Sequence, residues 1–183
     1  FAFVLYKGEL SRYGIRKEGE ISAGIVEKIE TEVVLKRAKL RAMHLLADMD
    51  RTEAALREKL KQGCYTQEMI DRAVDYVKSF GYLDDARYAE NFVRSRQGTK
   101  SRKEIRAALM QKGVSAELAE QAFESCYEDG GEEEAVRSIF RKKRFDPMTA
   151  EESEKQRIYG YLARKGFKYE TIRQVIQNYE DNA

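Results

Sequence analysis

One pattern limits what this chain can fold into more than any other: a set of apolar positions recurs three times at fixed spacing. Leu56, Ile105 and Ile158 occupy equivalent places, as do Leu60, Leu109 and Leu162. Tyr65, Val114 and Phe167 form a third set, and Val74, Phe123 and Ile176 a fourth. Each set steps by 49 residues and then by 53. A unit of about 50 residues buries too little surface to be stable alone, so such units stack on their neighbours. Stacking yields an extended surface rather than a pocket, which favours binding over catalysis.

Within each repeat the spacing predicts three helices. In the first, Ala38, Ala42, Leu45 and Leu46 mark one helix. Leu56 and Leu60 mark a second behind an Asp50 or Thr52 cap, and Met69, Ile70, Ala73, Val74 and Val77 a third behind Thr66. The second repeat places Tyr88, Phe92 and Val93 first. A Ser101/Glu104 capping box then precedes Ile105 and Leu109, and Ser115 precedes Leu118, Ala122 and Phe123. The third has Val136, Ile139 and Phe140, a break at Asp146-Pro147, then Ile158, Leu162, Ile172, Val175 and Ile176. Gly113 and Gly166 stop the second helices. Cys64 stands at the matching place in the first repeat, which is expected to shift its glycine one position earlier, to Gly63.

The opening residues read differently. Phe1 to Tyr6 followed by Lys7-Gly8-Glu9 suggests a strand entering a turn. Ile25, Ile29 and Val33 then form a stripe that starts a leading helix. The expected fold is all-α: three tandem three-helix modules in an elongated, curved array, with a small N-terminal β element and a leading helix. The boundaries are 1–36 for the extension and 37–82, 83–130 and 131–183 for the modules.

Composition supports this. Charged residues make up 36 % and hydrophobic ones 42 %, as amphipathic helices with solvated outer faces require. No apolar run approaches the length of a membrane span. The start lacks Met and a basic leader, which is expected of a segment of a longer gene product. Two cysteines without CxxC spacing suit a reduced, cytoplasmic setting.

Net charge is only +2 but is unevenly spread. Arg94, Arg96, Lys100, Arg102, Lys103, Arg106 and Lys112 form a basic run interrupted by Glu104 alone. An acidic run from Glu117 to Glu134 follows, and then Arg137, Arg141, Lys142, Lys143 and Arg144. Such alternation gives separate positive and negative patches, although each run also fits a solvated helix face that binds nothing.

Nothing in the chain has the pattern of a catalytic site. His44 is the single histidine, which excludes most triads, and it reads as a packed or half-exposed helix residue near Leu45 and Leu46. No cluster has metal-ligand spacing, and Gly130-Gly131 lies in an acidic linker that repels phosphate. No cofactor or metal is expected. Each module resembles a helix-turn-helix, but the third helix of module two begins Ser115-Ala-Glu-Leu-Ala-Glu, a poor reader of base edges. Contact with a phosphate backbone, or with an acidic protein–DNA filament, fits better.

The string Gly81-Tyr-Leu-Asp-Asp-Ala-Arg-Tyr-Ala89 resembles the hallmark of the RecX family of bacterial regulators. Arg37-Ala-Lys-Leu-Arg-Ala-Met-His-Leu-Leu46 and Asp50-Arg-Thr-Glu53 are similar to the opening of the family's first repeat. Phe92-Val-Arg-Ser-Arg96, Ile105-Arg-Ala-Ala-Leu109 and Gln111-Lys-Gly113 resemble its second, and Leu162-Ala-Arg-Lys-Gly-Phe167 its last. Cys64, where the family usually has Gly, and Ala55, where Glu is common, depart from it.

The resemblance implies a non-enzymatic, cytoplasmic modulator that binds the RecA–DNA filament, blocks its extension or promotes its disassembly, and suppresses recombinase and coprotease activity. The partners expected are the RecA filament and the backbone of single- or double-stranded DNA, met by a monomer with no membrane contact. The residues expected at the interface are Arg94, Arg96, Lys100, Arg102, Lys103 and Arg106, with Arg141, Lys142, Lys143, Arg164 and Lys165 as a second set. Tyr82, Leu83 and Asp85 are assigned to the fold. Two other readings stay open: a module that binds DNA without RecA, and a pure scaffold.

Overall fold

In a computed structural model, which describes residues 2–180, the chain is helical and divides into two compact units, Phe1–Asp85 and Ala86–Ala183. No strand occurs among the described residues. The predicted strand is therefore corrected over residues 2–6, while Phe1 lies outside the described residues. The expected turn at Lys7-Gly8-Glu9 is instead the start of a short helix, α1 (Lys7–Arg12).

Arg37 explains how the first residues hold without strand pairing. Its guanidinium donates to the Val4 carbonyl at 3.0 Å and to Glu9 Oε2 at 2.6 Å, and lies 4.4 Å from the Tyr6 ring centre. Hydrogen bonding to Arg37 holds the Glu9 carboxyl below its ordinary range. Phe3, Leu5, Tyr13 and Ile15 then pack against buried Ile29, Val34, Leu35 and Met69.

The leading helix is α2 (Ala23–Ile29), which continues through a π-helical turn (Glu30–Val34) into α3 (Leu35–Asp48). A π turn inserts one extra residue and rotates the face that follows. This breaks the predicted stripe: Ile29 is buried, but Val34 rather than Val33 succeeds it, and the inward face resumes at Leu35, Ala38, Ala42 and Leu45.

Module one is completed by α4 (Glu53–Gln62) and α5 (Gln67–Ser79). Thr52, almost fully buried, accepts the Ala55 amide, and Thr66 accepts that of Met69. In unit two, α6 (Asp85–Arg96), α7 (Arg102–Gln111) and α8 (Ala116–Cys126) enclose Ala89, Val93, Ile105, Leu109, Ala119 and Phe123. There α9 (Gly131–Lys143), α10 (Glu152–Lys165) and α11 (Tyr169–Glu180) enclose Val136, Phe140, Ile158, Leu162, Phe167, Ile172 and Val175. All the repeated apolar positions are buried except Tyr65, which is partly so.

The second helices of modules two and three end in the same paired bonds. Val114 donates to Leu109 O and Gly113 to Met110 O; Phe167 donates to Leu162 O and Gly166 to Ala163 O. Gly113 (φ 85°) and Gly166 (φ 92°) take the left-handed conformation this stop needs. Module one departs from expectation. Gly63 keeps φ −79°, and Cys64 itself adopts φ 60° while donating to Lys61 O. The left-handed position has stayed in register, and a non-glycine residue bears its steric cost.

A second repeated device appears at the start of each second helix. The first amide of α4, at Glu53, donates to Asp85 Oδ1 at 2.8 Å. The first amide of α7, at Arg102, donates to Glu132 Oε1 at 3.1 Å. In each case the acid stands at the start of a later helix, α6 or α9, so one helix start caps another. Asp85 is partly buried, and burial pushes its carboxyl up.

A candidate interaction surface on modules two and three

The N-terminus of α7 docks against the C-terminus of α10. Buried Ser101 donates from its hydroxyl to the Lys165 carbonyl at 2.6 Å, and the same oxygen accepts the Glu104 amide at 3.1 Å. Glu104 in turn accepts from Lys165 Nζ at 2.7 Å, which pushes the Lys165 ammonium up. Lys165 is thus held at both its carbonyl and its side chain, and acts as a clip between two modules rather than a free cation.

Beside this clip lies an open cleft of about 300 Å³ lined by Arg102, Lys103, Arg106, Tyr127, Glu132, Gly166 and Lys168. Arg102 and Arg106 both pair with Glu120 of α8, Arg102 at 3.2 Å, and the Arg102 guanidinium lies 4.6 Å from the Phe123 ring centre. One acid between two arginines leaves half of their charge unmatched, and pairs this exposed contribute about 0–1 kcal/mol to stability. Lys103 points away from them: its stem passes so close to Gly166 that a Cβ there would lie 2.7 Å from Lys103 Cδ. Neither Lys103 nor Lys168 pairs with a carboxylate among the described residues. At the cleft wall the Tyr127 hydroxyl is buried without a partner, and burial pushes the phenol up to about 12.

A second cleft, of about 460 Å³, lies within module three. Lys142, Lys143, Arg157 and Glu154 stand around Phe145, Ile158 and Tyr161. Lys143 Nζ lies 4.0 Å from the Tyr161 ring centre, within cation–π reach. Arg144 closes α9 in a left-handed conformation, φ 53°.

The expected residues therefore divide. Arg102, Lys103 and Arg106 converge on one cleft, and Lys142 and Lys143 on the other. Arg94 is paired with Glu90 at 3.1 Å, Arg141 with Glu134 at 2.7 Å, and Lys165 with Glu104. Arg96, which stacks 5.7 Å from the Phe92 ring centre, lines neither cleft, and nor do Lys100 and Arg164. Sequence reasoning missed Arg157, two residues after Lys155, and Lys168, three after Lys165; only the fold shows that they reach the clefts. It also placed Tyr82 wrongly. Leu83 is buried and Asp85 caps α4, but Tyr82 is 51 % exposed. His44 lies on α3, as expected, and is exposed. No helix among the described residues is long and apolar enough to cross a membrane.

Fold and surface together define a tandem three-helix-repeat protein whose unpaired cations gather at two open clefts. Sequence models of the RecX family match all three modules: the first three-helix domain over residues 38–76, the second over 84–122 and the third over 131–176. The chain belongs to the RecX family of regulatory proteins. It is 35 % identical over 142 residues to the regulatory protein RecX of Trichlorobacter lovleyi, covering 75 % of this chain and 92 % of that one. It is 31 % identical over 177 residues to that of Caldanaerobacter subterraneus, covering 96 % and 87 %. The crystal structure of RecX from Lactobacillus salivarius shares the fold with a TM-score of 0.67 at 24 % identity, covering 80 % of this chain and 96 % of that one. Another crystal structure of a regulatory protein RecX gives 0.72 at 23 % identity, covering 95 % and 88 %.

Proposed function

We propose that this protein is a cytoplasmic, monomeric modulator that binds the RecA–DNA filament and inhibits recombinase, ATPase and coprotease activity without chemistry of its own. Family membership supports the reading, and the observation that carries it is the first cleft, where Lys103 and Lys168, without carboxylate partners among the described residues, stand on two docked modules beside Arg102 and Arg106, which share Glu120. The second cleft offers another cationic contact on the same unit. A polymeric target engaged at both clefts gains avidity, because the second contact forms at high effective concentration.

The test is inhibition of RecA's DNA-dependent ATP hydrolysis. Lys103 and Lys168 are the residues to reverse, since Arg102 and Arg106 also hold α7 to α8 through Glu120 and their loss would confound folding with binding. Lys103→Glu with Lys168→Glu should weaken inhibition about tenfold or more, as expected for like charge placed in an electrostatic contact. Inhibition equal to that of the unaltered protein refutes the assignment. Binding to bare DNA that matches binding to the filament, and falls steeply with salt, would favour action on DNA alone.

A further inference from the structure

Unit one carries an aromatic ladder that starts at partly buried Tyr76, packed on the core of module one, and runs out to two exposed rings. Tyr76 of α5 meets Phe80 edge-on at 5.0 Å between ring centres, and Phe80 stacks on Tyr82 at 5.8 Å with 17° between planes. Phe80 is 57 % exposed and Tyr82 51 %. Leaving two stacked rings half in water forgoes burial that the fold obtains elsewhere, and contiguous exposed apolar surface of this kind marks a contact site.

The charge beside the ladder identifies the kind of partner. Lys39 of α3 lies over Tyr76, its Nζ 4.4 Å from the ring centre. From Leu35 to Ala47 the helix carries Lys36, Arg37, Lys39 and Arg41 and no acid. Arg37 is taken up by Glu9, but Lys36 stands three residues before Lys39 and shares its side of the helix. A protein patch built for an acidic partner needs cations, and one built for an apolar partner needs rings. Stacked, flat, exposed rings beside the basic first turns of α3 match what a single strand of nucleic acid offers, π faces and phosphates together. A duplex has its base faces already stacked, so the ladder discriminates against it.

We propose that this face of unit one binds single-stranded nucleic acid, with bases stacking on Phe80 and Tyr82 and phosphates meeting Lys36 and Lys39. The site is separate from the clefts of unit two and does not depend on the filament reading.

The experiment uses the full chain without RecA. Fluorescence anisotropy compares a labelled 15-nucleotide oligo-dT with an abasic chain of the same length and a 15-base-pair duplex. The protein should prefer oligo-dT to the abasic chain by about tenfold or more, the range of base–aromatic stacking. Phe80→Ala with Tyr82→Ala should abolish that preference and leave abasic binding unchanged; thermal melting confirms that the helices remain. Because the chain has no tryptophan, Phe80→Trp introduces a single reporter at the ladder. Oligo-dT should quench its emission and the abasic chain should not. Equal affinity for the two chains, a preference that survives loss of both rings, or a tryptophan indifferent to oligo-dT would each overturn the proposal. A double variant impaired only toward RecA filaments would overturn it too, by assigning the ladder to a protein contact.

Discussion

Substituting Gly166 by Ala perturbs two things at once. The position has φ +92°, and a left-handed L-residue costs about 1–2 kcal/mol. The added methyl would also lie 2.7 Å from Lys103 Cδ and 2.8 Å from Lys103 Cβ. A side-chain end can swing aside, but a Cβ moves only with its helix, so α7 must shift against α10, and overpacking of this sort costs about 1–3 kcal/mol. Lower entropy of the unfolded chain returns about 0.4–1 kcal/mol. The net loss is about 2–4 kcal/mol, which lowers the melting temperature by roughly 5–15 °C for a chain of this size. Cys64→Gly runs the same argument in reverse, because Cys64 is exposed and holds φ 60° without glycine's freedom. It should gain up to about 1 kcal/mol once the unfolded-state cost of glycine is subtracted. Scanning calorimetry of the two variants beside the parent chain is the assay. If Gly166→Ala melts with the parent, or Cys64→Gly melts below it, then neither the left-handed stop nor the Lys103 contact carries the weight given to it.

Ser101→Ala removes both a helix cap and the hydroxyl bond to Lys165 from a buried site, and should cost about 2–3 kcal/mol in urea denaturation. Ser101→Thr should retain most of it, since Thr52 fills the matching place in module one. Tyr127→Phe deletes a buried hydroxyl without a partner and should add about 1 kcal/mol of stability, seen as a higher urea midpoint at unchanged slope. For Glu53, hydrogen bonding to Lys78, aided by Arg57, holds the carboxyl below its ordinary 4.5. Its contribution is complete above pH 4.5 and disappears as pH falls through the depressed folded value. Glu53→Gln should therefore be less stable than the parent near neutrality and indistinguishable from it in strong acid, as followed by stability against pH.

The helical core was legible because burial follows periodicity: Leu56, Ile105 and their partners had to face inward wherever a helix of that register formed. The caps at Thr52, Thr66, Ser101 and Ser115 were legible for a similarly local reason, since each satisfies amides within its own turn. What failed depended on distant residues. Phe1 to Tyr6 reads like a strand, but Val4 and Tyr6 are held by Arg37, about thirty positions away, and a periodicity window does not see it. Ile25, Ile29 and Val33 are spaced for an α-helix, yet the π turn that carries the rod into module one's core shifts the buried position to Val34. Tyr82 and Leu83 are adjacent apolar residues both assigned to the fold, yet only Leu83 is buried.

The charge runs failed in a more instructive way. A basic run followed by an acidic one looks like two patches in sequence, but α7 and α8 pack on each other, so the runs meet. Arg102 and Arg106, four residues apart on one face, find Glu120; Lys103, turned about 100° from Arg102, finds Gly166 and open space. Neutralisation thus removes charge where α7 packs on α8 and leaves it on Lys103, whose stem packs on Gly166 while its ammonium finds no carboxylate among the described residues. The acids at the module joins are used in the same manner. Asp85 and Glu132 look like surface charge, yet each caps the first amide of an earlier second helix. For Asp85 the hydrogen bond from the Glu53 amide offsets part of the desolvation that partial burial imposes. A map of function for such a chain therefore begins by subtracting every charge that holds one helix to another, and Lys103, Lys168, Lys142 and Arg157 are what remains around the two clefts.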